Sequence, residues 1–275
     1  MIAPSPRVGR DGFLGLRFER RGSRTVMARC RYVVPLQVLA PMALDDGAAV
    51  VSIVNPTGGL VGGDTLTIDV EVSRGAHACL TTPSASKIYR TTSAVAEQIV
   101  RLRVGADARL EWVPDHAIPF AGSAYRQRLE ADVAEGGALV VIDAFAAGRI
   151  ARGEAWRFAL LDSTLTVRDA RGWLLHDRFT LREDSPRGLG ITEHRPYFAT
   201  IAVVADVGIE RFIERVAEVD GGGEFEVGAA RLPRRGAVAR CLAASAPALG
   251  DALAELWTAA RAEVLGAPPL ALRKP

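Results

Sequence analysis

Thr65-Leu-Thr-Ile-Asp-Val-Glu-Val-Ser-Arg-Gly-Ala-His-Ala-Cys-Leu80 decides the fold. Thr65 to Val72 alternates polar and apolar residues with a period of two, the pattern of a half-buried strand. Gly75 then supplies the backbone freedom of a tight turn, because it reaches positive φ without strain. A second apolar run follows to Leu80. The unit therefore reads strand, turn, strand.

Working outward, the unit recurs. Leu44-Asp-Asp-Gly47-Ala-Ala-Val50 precedes it; Leu102-Arg-Val-Gly105-Ala-Asp-Ala-Arg-Leu110 and Val133-Ala-Glu-Gly136-Gly-Ala-Leu-Val-Val141 follow. The four glycines are separated by 28, 30 and 31 residues. A repeat of this size predicts stacked hairpins in a layered β structure. The plainer alternative is a β protein with regularly spaced turns, although turns in sandwiches come closer together. Gln98 to Val104 and Thr164 to Arg168 alternate in the same way.

From about Phe198 the texture changes. Ala199 to Val204 is a short apolar strand, and Ile209, Phe212, Ile213 and Val216 form a helical stripe that Gly221-Gly-Gly223 ends. Ala237 to Ala243 reads as another strand. Leu249, Leu253, Leu256, Trp257, Ala260 and Val264 then mark one face of a C-terminal helix, with Gly266 at its cap and Pro268-Pro269 beyond. We expect one unit over 1–275, with a β-rich body over about 18–197 and a β-α-β-α tail over about 198–268.

Composition narrows the function classes. Of 275 residues, 49% are hydrophobic and 24% charged, which is ordinary for a globular chain. The 34 basic residues nearly balance 32 acidic ones, which argues against life on a phosphate backbone. All the basic residues are Arg except Lys87 and Lys274, a compositional bias shared with the many Ala. No run approaches the ~18 apolar residues of a membrane span. Met1 to Gly22, with Arg7, Arg10, Asp11, Arg17 and Glu19, has no apolar signal region. Cys30, Cys79 and Cys241 are odd in number and scattered, so a reducing cytoplasm is the natural compartment.

Several motifs invite a chemical reading. The loop Asn55-Pro-Thr-Gly-Gly-Leu-Val-Gly-Gly-Asp64 is glycine-rich, but Asp64 stands where a phosphate loop needs Lys, and a strand follows rather than a helix. Its glycines read as a connection that packs closely. Ser84-Ala-Ser86-Lys87 matches Ser-x-x-Lys without the companion motifs of the penicillin-binding enzymes. His77 and Cys79, two apart on a strand, share a face; imidazole and thiolate suit Ni²⁺ or Zn²⁺, and a packed strand face is the alternative. Asp143 sits within Val140-Val-Ile-Asp-Ala-Phe145 and needs a partner or a water-filled path, with Arg149 or Arg152 as candidate partners. Asp115-His116 reads as a turn. Arg101, Arg103, Arg126 and Arg128 form either a partner-facing stripe or a solvated strand face.

Asn55-Pro-Thr-Gly-Gly-Leu-Val-Gly-Gly-Asp64-Thr-Leu, then Gly75-Ala, then Leu80-Thr-Thr-Pro-Ser-Ala-Ser-Lys-Ile-Tyr-Arg90 resemble the urease accessory protein UreD (UreH) family. Leu110-Glu-Trp-Val-Pro114, Gly148-Arg149, Gly153-Glu154, Trp257 with Arg261, Leu265-Gly266 and Pro268 extend the resemblance, which runs from about Phe18 to Pro268. The chain departs from the family at Pro114-Asp115-His116 and in the ending Leu270-Ala-Leu-Arg-Lys-Pro275.

The resemblance implies a mainly β fold of stacked, β-helix-like layered sheets with a few helices, including a C-terminal one. It implies a non-enzymatic chaperone with no catalytic residue and no tightly bound cofactor. Its partners would be apo-urease, an all-helical accessory protein (UreF type) and a nickel-binding GTPase (UreG type), with Ni²⁺ in transit to the urease active site. An internal passage for nickel is part of what the family implies. By motif position Asp64, Thr82, Ser84 and Asp143 would line it. His77 and Cys79 would hold the ion more firmly, an inference from their imidazole and thiolate and not from the family. Weak oxygen ligands let a cation enter and leave. A carbohydrate hydrolase or lyase acting through Asp64, Asp143 and Glu154, and a bare scaffold with salt-bridged carboxylates, are the competing readings.

Overall fold

The structure, a computed structural model, describes residues 10–91, 94–183 and 192–272. Arg7 of the N-terminal reading and Arg273 to Pro275 of the ending lie outside the described residues. The chain opens with the hairpin β1 (Asp11–Arg21) and β2 (Arg24–Val33). Two short strands, β3 (Gln37–Val38) and β4 (Met42–Ala43), then lie along β5 (Ala49–Val54), and β6 (Gly59–Leu60) follows. The next rung is β7 (Thr65–Val72), β8 (His77–Thr81) and β9 (Ser86–Ile88). The one after is β10 (Ala96–Val104), β11 (Arg109–Val113) and β12 (Ala117–Pro119). β13 (Ala124–Val133) and β14 (Ala138–Ala146) make the last full rung, and the hairpin β15 (Leu160–Asp169) and β16 (Gly172–Leu181) ends one sheet. β17 (Tyr197–Val204), α1 (Ile209–Ala217), β18 (Phe225–Arg231), β19 (Ala237–Ala243) and α2 (Ala246–Ala260) complete the chain.

Two large sheets result. The first runs β16-β15-β13-β10-β7-β1-β2 and the second β18-β19-β17-β14-β11-β8-β5-β3. β6, β9 and β12 form a short third ladder. The mainly β, stacked, solenoid-like architecture with a C-terminal helix is as expected.

Gly47 closes the short hairpin of β4 and β5, but the other three glycine turns do not close hairpins. β7 and β8 belong to different sheets, and each pairs in parallel with its counterpart in the neighbouring rung. The turns Ser73–Ala76, Gly105–Ala108 and Ala134–Gly137 carry the chain from one layer to the other. Parallel stacking then piles like residues into rows such as Ile68, Val100 and Leu129. The left-handed positions are Gly75, Asp107 and Gly136, at φ of 68°, 57° and 72°. The third copy is thus set two residues later than Gly105 suggests. Asp, with a short polar side chain, is among the few non-glycine residues that adopt this conformation readily.

Two apolar layers follow. Leu66, Ile68, Val70 and Val72 of β7 meet Leu80, Leu110 and Val141 between the sheets. Cys79, Val140, Ile142, Ile201 and Val203, on the other face of the second sheet, meet Phe212 of α1 and Leu256 and Trp257 of α2. β8 and β14 are therefore buried on both faces, which explains the continuous apolar run around Asp143.

The tail contains one more strand than expected. β18 follows the Gly221–Gly223 break and pairs with β19 at the edge of the second sheet, half exposed along its length. The Ser245 side chain caps α2 by accepting from the Ala248 amide. The helix then widens into a π turn over Arg261–Leu265 and stops at Gly266, which has φ of 56°. Among the described residues no helix is long and apolar enough to cross a membrane.

Candidate functional site

On β7, β10, β13 and β15 the inward-facing positions of the first sheet are apolar except in one row. Gln98, Gln127 and Ser163 stand side by side on β10, β13 and β15, between Leu66 and Phe179. Asp143, on β14 of the opposite sheet, points at this row. Gln127 Nε2 donates to Asp143 Oδ1 at 2.6 Å and Ser163 Oγ donates to Oδ2 at 3.1 Å. Tyr125 donates its hydroxyl to Gln127 Oε1 at 3.0 Å, and Gln98 reaches the same oxygen at 3.5 Å. Asp143 is thus partnered by neutral groups, and not by the expected Arg149 or Arg152. Arg149 forms a two-pronged pair with Glu154 instead, at 2.5 and 2.7 Å.

Asp143 is 8% exposed. Burial pushes its carboxyl up to about 6; hydrogen bonds from Gln127 and Ser163 pull it down, as does the charge of Arg240, while Asp177 adds to the rise. Burial likewise raises Tyr125 well above its ordinary value, and the Asp143 charge adds to it.

Two cavities meet at this carboxylate. One, of about 90 Å³, lies among Thr82, Ser84, Gln98, Asp115, Tyr125 and Gln127. The other, of about 360 Å³, is bounded by Phe179, Thr200, Arg240 and Cys241. Asp143 lines both. On the second side Asp143, Thr200 and Arg240 form one row across β14, β17 and β19. Arg240 donates to Thr200 Oγ1 at 2.6 Å and to Asp177 Oδ1 at 2.8 Å, which carries polar groups to the surface. On the first side Thr82 Oγ1 accepts the Asp115 amide at 2.8 Å, and Ser84 is exposed. The smaller cavity has room for several waters.

The structure thus brings Thr82, Ser84 and Asp143 to one cavity. Asp64 stands apart from it. Its Oδ2 accepts the Val61 amide at 2.8 Å, and its Oδ1 lies 3.7 Å from Arg10 Nε. It closes the glycine-rich loop, whose glycines serve close packing: a Cβ on Gly59 would collide with the Lys87 carbonyl of β9. Of the carboxylates considered for hydrolysis, Asp64, Asp143 and Glu154, only Asp143 borders the two cavities.

His77 and Cys79 share the opposite face of the second sheet, towards α2. There His77 Nε2 lies 2.7 Å from Glu111 Oε1. Glu111 also accepts from Arg261 Nη1 at 2.5 Å and from Trp257 Nε1 at 2.7 Å. Arg261 Nε donates to the Pro268 carbonyl at 2.6 Å. Burial would raise the Glu111 carboxyl, but His77 and Arg261 outweigh it and hold the group below its ordinary value. Among the described residues no three His, Cys, Asp or Glu side chains stand close enough to share a metal ion.

The arginine stripe is an alternating ladder on the solvent face of the first sheet. Arg126 pairs with Glu97 and Asp162 at 3.1 Å each, and Arg101 with Asp69 at 3.3 Å; Arg103 and Arg128 are exposed.

Sequence reasoning missed Gln127 and Ser163. Both were marked by parity. In Tyr125, Gln127, Leu129, Ala131, Val133 and in Leu161, Ser163, Leu165, Val167, one polar residue interrupts the inward set.

A family model described as UreD urease accessory protein matches residues 10–275. A urease accessory protein UreD of Deinococcus radiodurans is 35% identical over 269 residues, covering 96% of this chain and 95% of its own. One from Alkalilimnicola ehrlichii is 33% identical over 95% of this chain and 89% of its own. One from Azoarcus sp. is 37% identical over 96% and 91%.

Proposed function

The chain belongs to the UreD family of urease accessory proteins, whose role is in urease maturation, and on that premise we propose that it is a non-enzymatic chaperone that binds apo-urease. It works with a helical accessory protein and a nickel-binding GTPase, and Ni²⁺ passes through it as cargo. The observation that carries the passage is Asp143, a buried carboxylate between the sheets that lines two cavities, one on either side of it.

The donor set suits transit. Ni²⁺ is bound firmly by imidazole or thiolate and more loosely by carboxylate, amide and hydroxyl oxygens. Asp143 and Asp115 supply carboxylates, Gln127, Ser163, Thr82 and Ser84 supply neutral oxygens, and Arg240 borders the second cavity. An ion moving along such a path exchanges waters for side-chain oxygens without meeting a trap, as in ion channels. Arg149 holds Glu154 and Arg10 lies beside Asp64, so the three carboxylates of the hydrolase reading do not face one substrate together.

The test is maturation with and without this chain. Urease is expressed with its other accessory proteins, and its nickel content and activity are measured. The proposal expects nickel-poor, inactive urease when this chain is left out, and co-purification of the chain with apo-urease when it is present. Full nickel loading in its absence would refute it.

A further inference from the structure

Five consecutive residues of β2, Ala28 to Tyr32, are exposed. Side chains of a strand alternate between its two faces, so both faces of β2 are open there. β2 is also the last strand of the first sheet, and past Thr25, whose amide bonds the Gly47 carbonyl, no further strand pairs with its outer edge among the described residues. A strand in an antiparallel pair ordinarily covers at least one face. The chain then runs on into β3 and β4 with Tyr32, Val34, Leu39 and Met42 at 54%, 41%, 56% and 54% exposed. From Ala28 to Ala43 only Pro35 and Leu36 are buried. Of the seven large apolar residues found exposed among the described residues, four fall within these eleven positions from 32 to 42.

The same surface is basic. Arg20, Arg21, Arg24, Arg29 and Arg31 occur between positions 20 and 32, with no Asp or Glu among them. Arg21 has Glu19 at 3.9 Å, Arg20 bonds the Gly22 carbonyl, and Arg31 lies over the Phe13 ring. Among the described residues Arg24, Arg29 and Arg31 have no acidic partner, unlike the paired arginines of the neighbouring charge ladder.

We infer that Ala28–Ala43 is the docking surface for an acidic segment of a partner polypeptide in the urease maturation assembly, an inference that rests on the function proposed above. Apolar Tyr, Leu and Met beside unpaired Arg is the composition of a protein interface, with an apolar centre and a charged rim. A second copy of this chain is a poor occupant, because identical arginines would face each other. An extended acidic strand gains twice: its carboxylates meet the arginines, and its backbone adds to the open edge of β2.

The test uses the purified full-length chain with apo-urease, the helical accessory protein and the GTPase, each in turn. Amide exchange is measured over 28–43 in the free and bound chain. With one of the three, these amides become protected. Arg29→Glu/Arg31→Glu weakens that complex by at least about tenfold, Arg29→Lys/Arg31→Lys stays within about threefold, and added salt weakens the native complex. Leu39→Ser/Met42→Ser, at exposed positions that leave the core intact, also weakens it. A complex that leaves these amides unprotected, or that survives charge reversal, overturns the inference while leaving the proposed function standing. A dimer of this chain sealed by the same surface overturns it too. If the native chain binds none of the three proteins, the proposed function falls and takes the inference with it.

Discussion

Glu111 and Asp143 are buried carboxylates on neighbouring strands of one sheet, and they face opposite ways. Glu111 points towards α2 and is met by Arg261, Trp257 and His77. Its carboxyl is held low, and its charge is met by the Arg261 guanidinium that is buried with it. Asp143 points between the sheets, and neutral groups meet it. Its carboxyl is pushed up to about 6. The first arrangement ties a helix to a sheet. The second places a charge where the fold gains little from it, beside two cavities. A carboxylate kept against the interest of stability is a mark of function.

Four substitutions would break or sharpen this contrast. The largest effect is expected at Glu111. Glu111→Ala leaves Arg261, 1% exposed, without its hydrogen-bonded carboxylate. Breaking a buried pair costs about 3–5 kcal/mol, read as a fall in the urea midpoint. A loss below about 1 kcal/mol would mean that α2 is held by apolar packing alone.

Asp143→Asn is expected to act in the other direction. The folded carboxyl titrates near 6, above an ordinary 3.8, so the folded state holds the proton more tightly than the unfolded chain does. Stability is therefore highest at low pH with respect to this group, and it declines as pH rises from about 4 to 6. At pH 7.5 the deficit is about 3 kcal/mol. Asn removes it and flattens the stability profile over that range. A variant less stable than the native chain at pH 7.5 would sink the claim that the charge is a burden.

Gln127→Leu removes the shorter hydrogen bond to Asp143. Its effect is expected near 1 kcal/mol, and its signature is the midpoint of the Asp143 titration, which moves upward in a ¹³C-carboxyl NMR titration. An unmoved midpoint would show that Gln127 does not set the charge. Arg126→Ala, on the solvated ladder, should change the thermal midpoint little. The pair with half-buried Glu97 is worth about 0–1 kcal/mol, and buried Asp162 keeps Arg178 at 3.5 Å; a larger loss would make the ladder a structural feature rather than a solvated face.

Much of the fold could be read from the chain, and the reasons it could not all be read are physical. Period-two alternation located β7, β10 and β15, and the helical stripes located α1 and α2. The turn residues gave the repeat but not its pairing, because a two-layer coil and a stack of hairpins use the same glycine turns. Gly105 drew the third copy out of step, since Asp107 takes the left-handed position without a glycine to announce it. β18 was hidden by its place at an edge, where half-exposed Phe225 and Val227 leave a weak pattern. At the site, Asp143 was conspicuous as a charge in an apolar run. Its partners Gln127 and Ser163 come from strands of the other sheet, 16 and 20 residues away in sequence. Parity marks them as inward and polar, but pairing them with Asp143 requires the stacking. Glu111 lies in a short buried strand, and the cation that compensates it is 150 residues away.

The most direct test of the central claim is the nickel content of urease matured with the Asp143→Asn chain, measured beside that variant's stability at pH 7.5. The account expects a chain at least as stable as the native one that still co-purifies with apo-urease, and urease with its nickel content reduced by about tenfold or more, the factor that about 1.4 kcal/mol in the transit step would give. Undiminished nickel loading by a well-folded variant would contradict it, and would return Asp143 to the role of a buried side chain with no part in maturation.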